Sequence, residues 1–196
     1  MLEENAIASD IDICSAALLL LGADPIASLT ENTKRATQCA NIYPLARLDL
    51  LRMHPWNCAI KRVILAPLTE EPPFDWGFQF NKPGDWLRTL QVGNKDFPLD
   101  YEFEGNRILA NTDTLPFRYV ADVNEGNWDS NLVGVMIKRM EMDLAYPITK
   151  SASLRDSLKQ EFYTRGVGVL ARAKAVDGQE NPPEEWNDSP LIAVRG

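Results

Sequence analysis

The spacing of apolar residues changes twice along this chain of 196 residues. Residues 9–53 and 129–176 carry apolar side chains three or four positions apart, which is the period of an amphipathic helix. Residues 59–123 instead contain short apolar and alternating runs separated by Pro and Gly, a pattern typical of β-strands and turns. This order predicts a single α+β domain over residues 1–180, mainly α, in which a helical bundle carries an inserted small antiparallel β-sheet.

Two helices are expected before the β region, over about residues 9–22 and 32–53. Asn32 is placed to cap the second helix with its side chain. Pro44 lies within that helix and removes one backbone hydrogen bond, so we expect either a kink or two shorter helices there. Pro55 keeps the residue before it out of the α region, so the second helix ends just ahead of this proline.

The β region, about residues 59–123, is expected to form one small antiparallel sheet. Gly105 and Asn106 stand between two apolar runs and form a compact hairpin signal. Residues 67–83 combine four Pro with four aromatic residues. This composition predicts a long, stiff loop between the first two strands.

Four aromatic residues are candidates for contact with a partner protein. They lie on segments expected to be irregular, where an aromatic side chain buries a large area when a partner covers it. These candidate interface residues are Trp76, Phe78, Phe80 and Trp186.

Two further helices are expected after the β region. The first covers about residues 129–146 and ends before the proline that follows. The second covers about residues 153–176, although Gly166 and Gly168 within it each cost about 1 kcal/mol relative to Ala. The polar, Pro-rich residues 181–196 are expected to form an extended C-terminal tail.

The charge of the chain is negative and unevenly distributed. A formal net charge of −8 argues against tight nucleic-acid binding, which requires clustered Lys and Arg. Residues 67–126 hold eleven Asp or Glu and five Lys or Arg, so this stretch alone contributes −6. No apolar run approaches the roughly 18 residues that span a bilayer, and the N-terminal residues are acidic. We therefore expect a protein that is made in the host cytoplasm, remains there until it joins an assembly and does not contact a membrane.

Residue types that serve catalysis or metal binding are sparse. His54 is the only histidine, which excludes a site with several histidine ligands. Its position before Pro55 favours a role in ending a helix or in packing. Cys14, Cys39 and Cys58 lack the spacing of zinc or redox motifs and are expected to be reduced apolar fillers. We therefore expect no catalytic residue, no metal and no cofactor.

Alternating carboxylates are the one pattern with a possible enzymatic use. Asp100, Glu102 and Glu104 would lie on one face of a strand, because side chains alternate across a strand. A glycosidase uses two carboxylates, but it also requires a sugar cleft and one desolvated acid. A solvated acidic strand face is therefore the favoured interpretation.

Several segments place helix ends, aromatic residues and glycines in a characteristic order. They are residues 18–22, 43–47, 54–57, 83–88, 101–109, 144–149 and 171–180. In that order these segments resemble the tubular tail protein A family of short-tailed bacteriophages. The resemblance covers most of the chain and consists of packing signatures.

The resemblance implies a structural virion protein, a head-to-tail adaptor without catalytic residues. Such adaptors form a ring, a dodecamer in this family, between the capsid portal and the tail. The implied partners are other copies of the chain, the portal protein and a tail nozzle or tail tube protein, and DNA passes through the channel without specific binding. Two alternatives are a tail-associated cell-wall glycan hydrolase that uses Glu102 and Glu104, and an assembly chaperone that is absent from mature virions.

Overall fold

The computed structural model describes residues 8–180, in which five α-helices and seven β-strands form a mixed α+β architecture. Two helices precede the strands and three follow them. The helices are α1 (Asp10–Leu20), α2 (Lys34–Met53), α3 (Ser130–Thr149), α4 (Ala152–Tyr163) and α5 (Val169–Gln179). The strands are β1 (Ile60–Leu65), β2 (Phe78–Asn81), β3 (Trp86–Asn94), β4 (Phe97–Pro98), β5 (Tyr101–Glu104), β6 (Arg107–Ala110) and β7 (Leu115–Ala121).

Helix α1 begins with a reciprocal cap. The Ser9 hydroxyl accepts a hydrogen bond from the Asp12 N–H at 3.2 Å, and the Asp12 carboxylate accepts one from the Ser9 N–H at 2.9 Å. After the helix, Gly22 adopts a φ of 74°, a left-handed conformation that glycine takes without steric cost. Helix α1, which covers Asp10–Leu20, is slightly shorter at both ends than the predicted range of residues 9–22.

Helix α2 is continuous through Pro44, so the alternative of two shorter helices is wrong. Pro44 lies on the exposed side, where water can reach the carbonyl group that has lost its helical partner. The buried side, which includes Tyr43 and Leu50, packs in the core and holds the helix together. Thr33, not Asn32, caps the helix, because its hydroxyl accepts a hydrogen bond from the backbone N–H three residues later.

Helix α3 packs against the other four helices. It extends through Pro147 to Thr149, so the predicted end before this proline is wrong. The Thr149 hydroxyl donates a hydrogen bond to the Ala145 carbonyl at 2.7 Å, and Lys150 ends the helix in a left-handed conformation. A proline in the last turn breaks only one helical bond, and side-chain bonding compensates for the loss.

The predicted helix over residues 153–176 is two helices, α4 and α5. Gly166 between them has a φ of 80°. At Gly168 a Cβ atom would stand only 2.7 Å from the Thr164 carbonyl oxygen and 2.8 Å from that of Phe162. The two glycines thus permit a tight corner that residues with side chains would obstruct.

The β region forms two antiparallel sheets, so the prediction of a single sheet is wrong. The strand order is β1-β7-β3-β4 in the first sheet and β2-β6-β5 in the second. Strand β2 lies within the expected loop 67–83, because Phe80 alternates with polar neighbours and pairs with Ile108. The predicted hairpin at Gly105 and Asn106 is confirmed and joins β5 to β6.

The chain enters and leaves the β region through adjacent strands. Ile60 at the start of β1 pairs with Val120 near the end of β7. The two ends of the β region therefore lie next to each other.

One hydrophobic core connects the helices with both sheets. Trp56, Phe80 and Phe162 are among its largest fully buried side chains. Cys14 and Cys39 are buried free thiols, as expected of apolar fillers. In residues 8–180 no helix has the length and apolar composition needed to cross a membrane.

Candidate functional site

The end of α2 meets the last turn of α5 at a buried polar contact. His54, the C-cap of α2, places its Nε2 atom 3.0 Å from Oδ2 of Asp177, although 123 residues separate them. Asp177 is only 3% exposed. We call this contact, formed by His54, Trp56, Asn57 and Asp177, the α2–α5 junction.

Asn57 donates hydrogen bonds to the second carboxylate oxygen of Asp177 and to the Asp177 backbone carbonyl. The Asn57 backbone N–H donates to Oδ1 of Asp177 at 3.0 Å, and the Asn57 side-chain amide donates to the Asp177 carbonyl at 2.6 Å. Both carboxylate oxygens of the buried acid therefore accept hydrogen bonds, as a buried charge requires.

Trp56 provides the apolar side of the junction. It is fully buried, and its indole N–H donates to the Leu50 carbonyl at 2.9 Å. The indole ring meets the His54 ring edge-on, with a centroid distance of 4.7 Å. The tryptophan fixes the orientation of the imidazole that faces Asp177.

Burial lowers the pKa of His54, although the hydrogen bond to Asp177 opposes this effect. The positive charges of Lys174 and Arg88 lower the pKa further. His54 is therefore neutral at pH 7 and can donate its Nε2 proton to Asp177.

The geometry of the junction suits a structural contact that holds the end of α2 against the last turn of α5. Among the described residues, the imidazole of His54 has one hydrogen-bond partner, Asp177, and no nucleophilic side chain is hydrogen-bonded to the ring. Burial raises the pKa of the nearby Cys58 thiol to about 11, so this sulfur is protonated at neutral pH. No cluster of three His, Cys, Asp or Glu side chains suited to a metal ion occurs within residues 8–180.

The structure separates the four aromatic interface candidates. Trp76 is partly exposed, and its indole N–H donates to Glu102 at 3.2 Å. Phe78 is partly buried against the core. Phe80 is fully buried, because the alternation of β2 turns it inward, and so it presents no surface to a partner. Trp186 lies outside the described residues.

The same loop contains a more exposed aromatic residue that sequence reasoning missed. Phe74 is 75% exposed. It is followed by Asp75, whose φ of 64° is uncommon for a residue with a side chain. A phenylalanine between Pro73 and Asp75 was the only available signal.

Strand β5 carries the alternating carboxylates on the edge of the second sheet. Glu102 and Glu104 are exposed, and Tyr101 and Phe103 alternate with them. On the aromatic side, the Lys82 ammonium lies 4.6 Å from the centre of the Phe103 ring. Since both glutamates face water, neither is the desolvated acid that glycoside hydrolysis needs.

A positive surface on the first sheet was not evident from the sequence. Arg62 on β1 lies directly opposite Arg118 on β7, and Gln91 on β3 lies on the other side of Arg118. With Lys95 they line an open cleft of about 470 Å³. We call Arg62, Lys95 and Arg118 the cationic face. Only the strand register reveals it, because 56 positions separate the two arginines.

Neither the models of known protein families nor the curated protein sequences match this chain. The class of protein is therefore inferred from the residues and contacts of the chain itself.

Proposed function

We propose that this chain is a structural virion protein, a head-to-tail adaptor that forms a ring between the portal and the tail of a short-tailed phage. The α2–α5 junction carries this proposal. Residues 54–57 and residues 171–180 are two of the segments that resemble the tubular tail protein A family, and three hydrogen bonds join them at Asp177. This contact between two of the segments that carry the resemblance is the observation that supports the proposal.

The other segments of the resemblance also lie at scaffold positions. Residues 83–88 include the start of β3, which is attached to α2. The Arg52 guanidinium of α2 donates a hydrogen bond to the Leu87 carbonyl and lies 5.9 Å from the centre of the Trp86 ring. Residues 101–109 form the β5–β6 hairpin. Residues 144–149 form the end of α3. This distribution supports a shared architecture in preference to a shared catalytic site.

In this proposal the helices act as a bundle that forms the body of the ring, which the resemblance sets at twelve subunits. The acidic stretch 67–126 lines or borders a channel through which DNA passes without specific binding, since like charges repel. One side of the ring binds the portal protein, and the other binds a tail nozzle or tail tube protein. Residues 181–196, which lie outside the described residues, supply Trp186 for one of these contacts.

The direct test is to mix the purified chain with the portal ring encoded beside it and to image the product by electron microscopy. The expected result is a collar of regularly spaced subunits on one face of the portal. A bare portal at high protein concentration, together with absence of the chain from purified virions, would contradict the adaptor proposal. Presence in virions without portal binding would also contradict it and would direct attention to other tail locations.

A second test addresses residues 181–196. A chain ending at Glu180 is expected to keep its thermal unfolding transition but to attach to the portal more weakly. The matched control replaces residues 181–196 with a Gly/Ser segment of equal length, and a third variant carries Trp186→Ala alone. Equal attachment by all four proteins would exclude a role for this segment while leaving the ring itself to be judged by the imaging experiment.

A further inference from the structure

Among the described residues, Arg62 and Arg118 lack the negative partners that arginines usually acquire. Directly opposed like charges destabilise an antiparallel pair, yet Arg62 and Arg118 occupy opposed positions. In the described part of the chain neither arginine forms an ion pair, and Nε of Arg118 is buried without a hydrogen-bond acceptor. An anionic group from outside the subunit would relieve the repulsion between the two opposed guanidinium groups.

The opposite charge is displayed on β5 of the same protein. Asp100, Glu102 and Glu104 are exposed, and no Lys or Arg among the described residues forms an ion pair with any of the three. The two surfaces lie on different sheets, since β1 and β5 belong to the first and the second sheet respectively. One subunit therefore carries both halves of a charge-complementary contact.

Both halves are also edge strands. Strand β1 is the first strand in the order of its sheet, and β5 is the last in the order of its own. An edge strand presents unpaired N–H and C=O groups that can pair with another chain. Exposed apolar side chains accompany the charges, with Ile64 on β1 74% exposed and Tyr101 on β5 41% exposed. Each edge thus offers backbone, charged and apolar groups to a partner.

We propose that Arg62, Arg118 and the β1 edge of one copy bind the anionic β5 edge of a second copy, with the two arginines facing Glu102 and Glu104. The proposal rests on the ring assembly proposed above and names the surfaces that join neighbouring subunits. Because two different surfaces meet, the contact is heterologous, and repetition of a heterologous contact closes a ring or extends a filament.

Paired charge reversals test this contact. One variant carries Arg62→Glu and Arg118→Glu, and the other carries Glu102→Lys and Glu104→Lys. Each variant alone has like charges on both surfaces and is expected to self-associate about tenfold more weakly or worse than the native chain. In an equimolar mixture each surface regains an opposite partner on the other variant, so self-association is expected to return. A chain with all four substitutions should likewise assemble with itself.

Matched controls change the net charge by the same amount at other exposed sites. Lys159→Glu with Arg165→Glu corresponds to the arginine variant, and Asp156→Lys with Glu161→Lys corresponds to the glutamate variant. Sedimentation velocity over a concentration series measures association, and circular dichroism with thermal unfolding verifies the fold of each variant. The control variants are expected to associate like the native chain.

Two results would overturn the inference. One is association of the reversed variants equal to that of their controls. The other is that the native chain stays monomeric at its highest soluble concentration and that the mixture of reversed variants stays monomeric as well. If collars still form on the portal in either case, the adaptor proposal stands and only this contact is wrong. If the charge reversals act as expected while portals remain bare, the contact is correct and the adaptor proposal is wrong.

Discussion

The His54 imidazole and the Asp177 carboxylate lie 3.0 Å apart and connect the end of α2 to the last turn of α5. The side chain of Asp177 is 3% exposed and that of His54 is 19% exposed. A contact this well shielded from water fixes where α5 lies against the rest of the domain.

Replacing Asp177 should destabilise the fold. Asp177→Ala leaves the Asn57 backbone N–H without its acceptor in a buried setting, and we expect a loss of about 1–3 kcal/mol in the free energy of unfolding. Urea denaturation measures the change. The control is Asp156→Ala, which removes an exposed ion pair with Arg155 and should cost no more than about 1 kcal/mol. Equal losses in the two variants would contradict the role assigned to Asp177.

The junction should also make stability depend on pH near neutrality. The pKa of His54 is lower in the folded chain than its ordinary value of 6.5, so at mildly acidic pH the unfolded chain binds more protons than the folded chain. Stability contributed by neutral His54 is therefore complete above pH 6.5 and declines as the pH falls through this value.

His54→Gln isolates this effect, because glutamine can still donate to Asp177 but does not titrate. Between pH 7.5 and 5.5 the native chain should lose more unfolding free energy than the variant. The lowered pKa values of Asp12 and Asp85 act below the ordinary value of 3.8 and do not interfere. A native chain that gains stability relative to the variant on acidification would show that attraction to Asp177 outweighs burial.

The corner between α4 and α5 should tolerate no side chain at Gly168. Gly168→Ala brings a Cβ to 2.7 Å from the Thr164 carbonyl oxygen, and we expect a loss of about 1–3 kcal/mol. Gly178→Ala is the matched control, because this glycine lies in α5 with open space around it. The control should be stabilising by up to about 1 kcal/mol. Thermal unfolding of both variants in one buffer decides whether the two substitutions change the free energy of unfolding in opposite directions.

Thiol chemistry should be slow in the folded protein. Cys14 and Cys39 are buried, and the pKa of Cys58 is raised to about 11 by burial, so little thiolate is present at pH 8. A chromogenic disulfide reagent should label Cys58 slowly at pH 8, with a rate that rises about tenfold per pH unit. Cys58→Ser should abolish this native-state labelling, whereas denaturant should release three thiols from the native sequence. Rapid labelling of one thiol at pH 8 would contradict the prediction.

The sequence predicted the local elements well where a local cause dominates. The hairpin at Gly105 and Asn106 and the end of α2 before Pro55 both depend on a few neighbouring residues. The errors at Pro44 and Pro147 have a common origin. A proline weakens a helix by a roughly fixed amount, and whether the helix continues depends on packing that the local sequence does not contain.

The features of the candidate site depend on distant partners. The cationic face follows from the register that sets Arg62 opposite Arg118, and no local pattern specifies that register. The burial of Phe80 follows from its pairing with Ile108, although its proline-rich surroundings favoured a loop. His54 was interpreted correctly as a residue at a helix end, but its contact with Asp177 required the path of the whole chain.

The adjacency of β1 and β7 brings the two ends of the β region together. Because Ile60 pairs with Val120, the strands between them can be viewed as a cassette whose two attachment points coincide. Strands or loops could be added to that cassette, or removed from it, without changing the separation of α2 and α3. Lineages that share the helical frame would then be free to diversify the exposed loops of the cassette, while Phe80 and Ile108, which it contributes to the common core, would be retained.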